Sequence, residues 1–314
     1  FMDHYTLARQ KLNDLLEHVR EGYAYNTLRA YRADMEEFIV YCARHEVPTL
    51  PADPFVVAQF LIEATDSGIK ASTIRRKVSS ISAVHRLSYF EDPTKHPEVK
   101  IAVRKVNRKL GTRFKQAYPI NRDLLEQMLT VCNTNLRGLR DRMLLLLAYE
   151  SLRRRSELVS LRIEDLVFSN DGTSTILLRD SKTDQTGEGV VISLGTRTTT
   201  AIRDWLKASG LNEGPLLRGI RSGHITPAYD SGQIGRTFKR IACACGVEPN
   251  IAEKISGHST RVGSAQDLLL KGESLAQIMA RVGWTKVDTV MRYVGLTPMQ
   301  ALMQGIPKQF SSLN

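Results

Sequence analysis

Long apolar segments are missing from this chain of 314 residues. Its longest apolar run, at residues 143–149, is too short to cross a bilayer, so we interpret it as part of a buried helix. The N-terminal residues carry charges and lack the apolar stretch of a signal peptide. Both absences predict a protein that stays in the cytoplasm, rather than a secreted or membrane-spanning one.

Cysteine is scarce as well, with four residues scattered over the chain. This number and spacing exclude a disulfide framework. Cys243 and Cys245 lie close together, but they lack a second Cys or His pair at the spacing of a zinc site. We therefore interpret both as packing residues.

Acidic residues are too few to balance the 44 lysines and arginines, which leaves a formal net charge of +11. Such an excess favours a polyanionic partner. The excess is local, because residues 1–69 carry a net charge of −5, residues 70–115 carry +10 and residues 116–314 carry +6. A short segment with this much positive charge is typical of a face that binds duplex DNA.

The N-terminal third predicts an all-helical domain. Asp53 and Pro54 form a typical helix start, with an N-capping acid followed by proline at the first helical position. We place this domain at residues 1–110 and a linker at 111–119, where apolar periodicity is lost. Apolar residues recur at helical spacing in four of its segments, namely 5–20, 26–44, 97–109 and the residues from about Ser72 onward.

Residues 120–314 predict a second domain of mixed structure. Helices are expected at 122–132 and 137–150. Residues 173–180 and 190–195 alternate like two strands, and the residues between them are typical of a long hairpin loop. The expected fold is therefore mainly α, with two domains and a small antiparallel sheet in the second.

Residues suited to phosphodiester chemistry are spread over this second domain. Guanidinium groups match phosphate oxygens bidentately, keep their charge and can stabilise the charge that develops in a transition state. A phenol can act as the nucleophile if a neighbour accepts its proton, and an ammonium group can protonate a leaving alkoxide. His258 and Arg261 are three residues apart, so on a helix they share one face. The complete set is Arg154, Lys182, His258, Arg261, Trp284 and Tyr293.

Each of these residues alone is more often structural, and the interpretation depends on their joint order and spacing. That order strongly resembles the tyrosine recombinases of the phage integrase family, and within them the Cre-like branch, which has Trp where most relatives have a second His. The resemblance covers about residues 20 to 310. It identifies Arg154 rather than Arg153 or Arg155 as the catalytic arginine, because Glu157 then falls three residues later, where the family has an acidic residue.

The resemblance implies a site-specific recombinase that needs no metal, ATP or other cofactor. Tyr293 would attack the scissile phosphate to give a 3′-phosphotyrosine, and Lys182 would protonate the 5′ oxygen. A Holliday junction would follow, on inverted-repeat sites bound by four protomers in the bacterial cytoplasm, at the nucleoid or a plasmid. Two alternatives stay open: relaxation of supercoils by a type IB topoisomerase-like reaction, and DNA binding without catalysis.

The resemblance also implies that residues 1–110 form a core-binding domain that clamps DNA together with the catalytic domain. The helix from Ser72 would lie in the major groove, where Arg76 could read guanine and Lys77 could hold phosphate. The alternative is that both contact phosphate only. The candidate DNA-binding residues are Arg29, Arg32, Arg75, Arg76, Lys77, Arg104, Lys105, Arg236 and Lys239.

The C-terminal tail has an apolar stripe with no obvious surface to cover. Met299, Leu302, Met303 and Ile306 recur at helical spacing. In Cre-like enzymes the last helix inserts into a neighbouring protomer, so we expect an oligomerisation helix here. The alternative is a helix that folds back on its own domain.

Overall fold

The computed structural model describes residues 2–111, 116–179 and 189–284, together with residues 287, 290 and 291; for residues 2–4 it describes the backbone alone. The chain divides into two compact units, Phe1–Phe114 and Lys115–Asn314. The mainly α fold with a small antiparallel sheet is confirmed. The domain limits at 110 and 120 stay a prediction. Within the described residues, no helix has both the length and the apolar character needed to cross a membrane.

The first unit is helical throughout the residues described. Asp53 caps α3 as predicted, because its carboxylate accepts a hydrogen bond from the Phe55 amide at 2.7 Å and Pro54 is the first helical residue. A single apolar core, which includes Met35, Phe38 and Ile81, holds the helices together. The helices are α1 (Met2–His18), α2 (Tyr25–Arg44), α3 (Pro54–Asp66), α4 (Ala71–Leu87) and α5 (Pro97–Leu110).

Helix α4 departs from its predicted charge pattern. Arg76 is exposed, but Lys77, which was expected to hold phosphate, is only 1% exposed. Both cations turn toward Asp34 on α2, which is fully buried. Arg76 donates to both Asp34 carboxylate oxygens at 2.8 and 2.9 Å, and Lys77 Nζ lies 2.7 Å from Glu37 and 3.6 Å from Asp34. A buried carboxylate needs such partners, and this demand draws Lys77 inward.

The second unit is built around the long apolar helix predicted from residues 143–149. Met143, Leu144, Leu145 and Leu147 are fully buried there and contribute to a core that also contains Trp205. The described elements are α6 (Arg122–Thr130), α7 (Leu136–Ser151), α8 (Arg155–Ser160), β1 (Leu166–Phe168), β2 (Ser174–Leu178), β3 (Val190–Leu194), α9 (Thr196–Ser209), β4 (Ile220–Arg221), β5 (His224–Ile225), α10 (Ser231–Ala244), α11 (Pro249–Ala252), α12 (Ser259–Leu270) and α13 (Leu275–Val282).

Strands β1, β2 and β3 form an antiparallel sheet in that order. Leu166, Ile176 and Ile192 are paired across the sheet, and the last two are buried in the core. The neighbouring row of Val167, Thr175 and Ser193 faces away from that core, as the two-residue period of a strand requires. The predicted hairpin strands are thus confirmed, and the loop at 180–188 lies outside the described residues.

Helix α12 passes very close to the chain that enters α6. The Ile120 amide donates to the Ser259 carbonyl at 2.9 Å, and the Arg122 amide donates to the Asp267 carboxylate at 2.7 Å. Between these two bonds lies Gly263, where a Cβ atom would overlap the carbonyl group of Ile120. Only glycine therefore permits this approach, which fixes α12 against the start of the second unit.

We expect Gly263→Ala to lower the free energy of unfolding of the second unit by about 1–3 kcal/mol, because backbone rather than a flexible side chain must move aside. Urea unfolding followed by tryptophan fluorescence measures this effect, since both tryptophans, Trp205 and Trp284, lie in this unit. Gly22→Ala is the matched control, because nothing lies within 4 Å of a Cβ at Gly22. Equal midpoints for Gly263→Ala and the parent protein would contradict the close approach.

Candidate active site

The turn between α7 and α8 presents the predicted catalytic arginine. Leu152 ends α7 in the left-handed conformation with φ of 52°. Two residues later Arg154 occupies the N-cap of α8. The buried Glu157 carboxylate accepts from the Arg154 amide at 2.9 Å and from its guanidinium at 2.6 Å. Glu157 therefore caps the helix and orients the arginine at the same time.

The three consecutive arginines have three different environments. Arg153 is 6% exposed, and it donates from Nε to the Ser151 carbonyl at 3.1 Å and from Nη2 to the Arg281 carbonyl at 2.8 Å. The Arg154 side chain is 24% exposed. Arg155 is exposed and lies against Gly257, where a Cβ would be 3.3 Å from Arg155 Cδ. Of the three, Arg153 has its guanidinium buried against backbone carbonyls, and the other two retain access to solvent.

Helix α12 brings the second pair of predicted residues to the same region. His258 is its N-cap and is exposed, whereas Arg261 in the first turn is only 1% exposed. The guanidinium carbon of Arg261 lies 5.5 Å from the centre of the Trp284 ring, within the range of a cation–π contact. Arg261 is thus both buried and in contact with the Trp284 indole.

His258 is surrounded by positive charge. Partial removal of the ring from water lowers its pKa below the ordinary value of 6.5, although part of the ring remains exposed. The cations of Arg261, Arg155 and Arg154 lower the pKa further. His258 is therefore neutral at pH 7, which is the form that can accept a proton.

The structure brings together five of the predicted catalytic residues: Arg154, Glu157, His258, Arg261 and Trp284. Lys182 and Tyr293 lie outside the described residues. The chemical roles of all seven stay predictions. Sequence reasoning missed the contributions of Arg153 and Arg155, because the choice of register at the triple arginine treated both as unused.

The cluster is suited to an anion. Several cations converge from α8 and α12, and the buried Glu157 balances part of their charge. Fixed guanidinium groups of this kind stabilise charge that develops on a phosphate or carboxylate. Among the residues described, no group of His, Cys, Asp and Glu is arranged to hold a metal ion.

The candidate DNA-binding residues are mostly exposed. Lys77 is the clear exception, because its ammonium group is buried beside Glu37 and Asp34, so we no longer expect it to contact phosphate. Lys239 is half-buried. Arg240 on α10 is exposed and is ion-paired with the buried Asp141. The exposed residues are Arg29, Arg32, Arg75, Arg76, Arg104, Lys105 and Arg236.

Comparisons with known proteins match the chain over both units. Residues 120–299 match the phage integrase family, and residues 12–91 match the phage integrase N-terminal SAM-like domain. The chain is 30% identical over 282 residues to the integrase/recombinase xerD homolog of Selenomonas ruminantium, covering 86% of this chain and 81% of that protein. It is 25% identical to the recombinase cre of Escherichia phage P1, covering 91% and 88% of the two chains.

The fold is similar to that of the Tn1549 transposon integrase, solved in complex with a circular intermediate DNA. The TM-score is 0.65 at 16% identity, over 95% of this chain and 98% of the other.

We expect Arg155→Gln to raise the pKa of His258, because the substitution removes one of the positive charges that disfavour the imidazolium form. NMR titration of the His258 ring protons measures the shift, with the signal assigned by its loss in His258→Gln. Arg162→Gln is the control, since Arg162 is ion-paired with Glu164 and is not among the causes of the His258 shift. If the pKa of His258 were the same in Arg155→Gln as in the parent protein, the effect of the charge cluster on His258 would be contradicted.

Proposed function

Because the chain belongs to the phage integrase family and is a tyrosine recombinase, we propose that it exchanges DNA strands between two specific sites through a 3′-phosphotyrosyl intermediate. The observation that carries this proposal is the convergence of Arg154, His258 and Arg261 from the starts of two helices. Two guanidinium groups beside a neutral imidazole are suited to one scissile phosphate and to the proton of an attacking phenol.

In the proposed reaction, the Tyr293 phenol oxygen attacks the phosphorus atom and the bond to the 5′ oxygen breaks. His258 accepts the phenol proton, and Lys182 donates a proton to the departing 5′ oxygen, which leaves as a hydroxyl. Arg154 and Arg261 stabilise the charge on the non-bridging oxygens, and Trp284 adds an indole N–H donor. Since Arg261 is buried and contacts the Trp284 ring, we expect the Trp284 side chain to move when a phosphate binds.

The covalent bond to tyrosine conserves the energy of the phosphodiester, so rejoining needs no ATP. A 5′-hydroxyl of the partner duplex attacks the phosphotyrosine, releases Tyr293 and produces a Holliday junction. A second pair of exchanges resolves that junction. We propose four protomers on inverted-repeat DNA sites, with half of them active at a time, and with the tail after Tyr293 exchanged between neighbours.

The first unit is proposed as the core-binding domain. Its support is the exposed cationic set on α2, α4 and α5, which includes Arg29, Arg75 and Arg104. Arg76 remains a candidate for reading bases, although its guanidinium is already bound to Asp34 through two hydrogen bonds. Nucleoid or plasmid association in a bacterial cytoplasm follows from this role and is part of the same proposal.

We expect Tyr293→Phe to bind target DNA with unchanged affinity and to form no covalent adduct, because phenylalanine lacks the attacking oxygen. The measurement is an SDS-resistant protein–DNA band on duplexes from the DNA flanking the gene, chosen for inverted repeats. Tyr118→Phe, which removes a hydroxyl from a partly exposed tyrosine outside the cluster, should keep the adduct. An adduct in Tyr293→Phe would show that the nucleophile is another residue.

The alternatives to recombination are tested with the parent protein. Recombinant products from a substrate with two sites would distinguish recombination from relaxation of supercoils. Absence of any covalent adduct would indicate a DNA-binding protein without catalytic activity.

We expect Lys182→Ala to slow cleavage of ordinary DNA by at least about 10²-fold, the usual scale for a positioned general acid. A substrate with sulfur in place of the 5′ bridging oxygen should restore the rate, because a thiolate leaves without protonation. Arg154→Ala is the control, since loss of charge stabilisation on the non-bridging oxygens should not be rescued by sulfur. If Lys182→Ala remained slow on the sulfur substrate, Lys182 would not be the acid.

A further inference from the structure

The two residues before Arg154 both reach the C-terminal part of the chain. Leu152 is buried in a small apolar cluster with Ile278, Val282, Trp284 and Val290. Next to it, the Arg153 guanidinium donates to the Arg281 carbonyl at 2.8 Å. Residues 152, 153 and 154 therefore make three successive contacts: apolar packing against the α13 region, a hydrogen bond to α13, and the ion pair with Glu157.

The Arg281 carbonyl is a distinctive acceptor. It belongs to the last turn of α13, where carbonyl groups have no partner within the helix. A guanidinium at this end also interacts favourably with the negative end of the helix dipole. Gly283 then ends the helix in the left-handed conformation, and Trp284 follows directly over Arg261. The hydrogen bond from Arg153 thus fixes the point from which the chain continues to Trp284.

We propose that Arg153 is a positioning residue, whose guanidinium clamps the end of α13 and thereby holds the segment leading to Tyr293 in register with Arg154. This inference rests on the proposed role of Tyr293 as the nucleophile. The contact joins the turn that presents the phosphate-binding arginine to the helix that precedes the nucleophile. Movement of one is then transmitted to the other through the Arg153 hydrogen bond, beside the apolar packing of Leu152.

The surroundings of Arg153 argue against two simpler roles. It is 6% exposed and two of its nitrogens donate to carbonyls, so it is poorly placed to bind a DNA phosphate. A purely stabilising role is also a poor explanation, because burying a cation beside Arg154 is costly and an apolar residue would fill the space more cheaply. Burial, followed by the charge of Arg154, lowers the pKa of Arg153, as expected of such a position.

The test uses the full-length protein with Arg153→Leu, which keeps apolar bulk and removes the donors, and Arg281→Ala as the matched control. The control removes an exposed side chain that pairs with the half-buried Glu273 and leaves the carbonyl acceptor in place. Three quantities are measured: amide hydrogen exchange of α13 compared with α12, affinity for the target duplex, and the single-turnover rate of adduct formation at Tyr293.

For Arg153→Leu, we expect exchange in α13 to be at least about tenfold faster while α12 is unchanged, consistent with the loss of one buried charged hydrogen bond. Adduct formation should slow by about tenfold or more at unchanged DNA affinity, and Arg281→Ala should match the parent protein. An unchanged or faster adduct rate would overturn the proposal, as would exchange that rises throughout the second unit or a parallel loss of DNA binding.

If Arg153→Leu does not fold, Arg153→Met is held to the same criteria, because its flexible side chain can fill the space and has no N–H donor for the Ser151 and Arg281 carbonyls. Failure of the proposed function is separable. A parent protein without any Tyr293 adduct would refute the function, whereas normal adduct formation in a folded Arg153 variant would refute the clamp alone.

Discussion

The crowding of positive charge at the starts of α8 and α12 is the constraint on which the second unit depends. Two unit charges 4 Å apart repel by about 4 kcal/mol at an effective dielectric constant of about 20, so several neighbouring cations need compensation. The buried Glu157 carboxylate supplies part of it, through the amide and guanidinium of Arg154 and through its charge acting on Arg153. Without this carboxylate, the arginines would each be driven toward solvent or toward a separate partner.

The same physical solution recurs elsewhere in the chain. In the first unit, the fully buried Asp34 binds Arg76 and Lys77. In the second, the buried Asp141 is paired with Arg140 and Arg240. In each case one buried carboxylate determines the positions of two neighbouring cationic side chains. The positions of these cationic side chains are therefore determined by a few buried acids, as well as by the distribution of lysines and arginines along the sequence.

The sequence predicted what periodicity and spacing encode: the helices of the first unit, α6 and α7 of the second, the Asp53 cap, the β2–β3 hairpin and the separate segments that carry Arg154 and Arg261. It failed where a long-range partner decides the outcome. Lys77 was expected to hold phosphate, yet Asp34, 43 positions earlier, draws it inward. The Arg153 side chain is hydrogen-bonded to a carbonyl 128 residues later in the chain, and no local sequence pattern could reveal this partner. The position of Glu157 was enough to choose Arg154 among the three consecutive arginines. It did not reveal the different environments of the three side chains.

The burial of Asp34 also bears on how the protein would respond to ionic strength. Affinity for duplex DNA falls with salt in proportion to the number of phosphates neutralised, since each one releases condensed counterions. Residues 70–115 contain 13 lysines and arginines. Arg76 and Lys77 are already neutralised by acids of α2, and Lys109 is paired with Asp66 at 2.6 Å. Fewer counterions would therefore be displaced than the sequence suggests, and the salt dependence of any DNA binding by this segment would be shallower than its number of lysines and arginines implies.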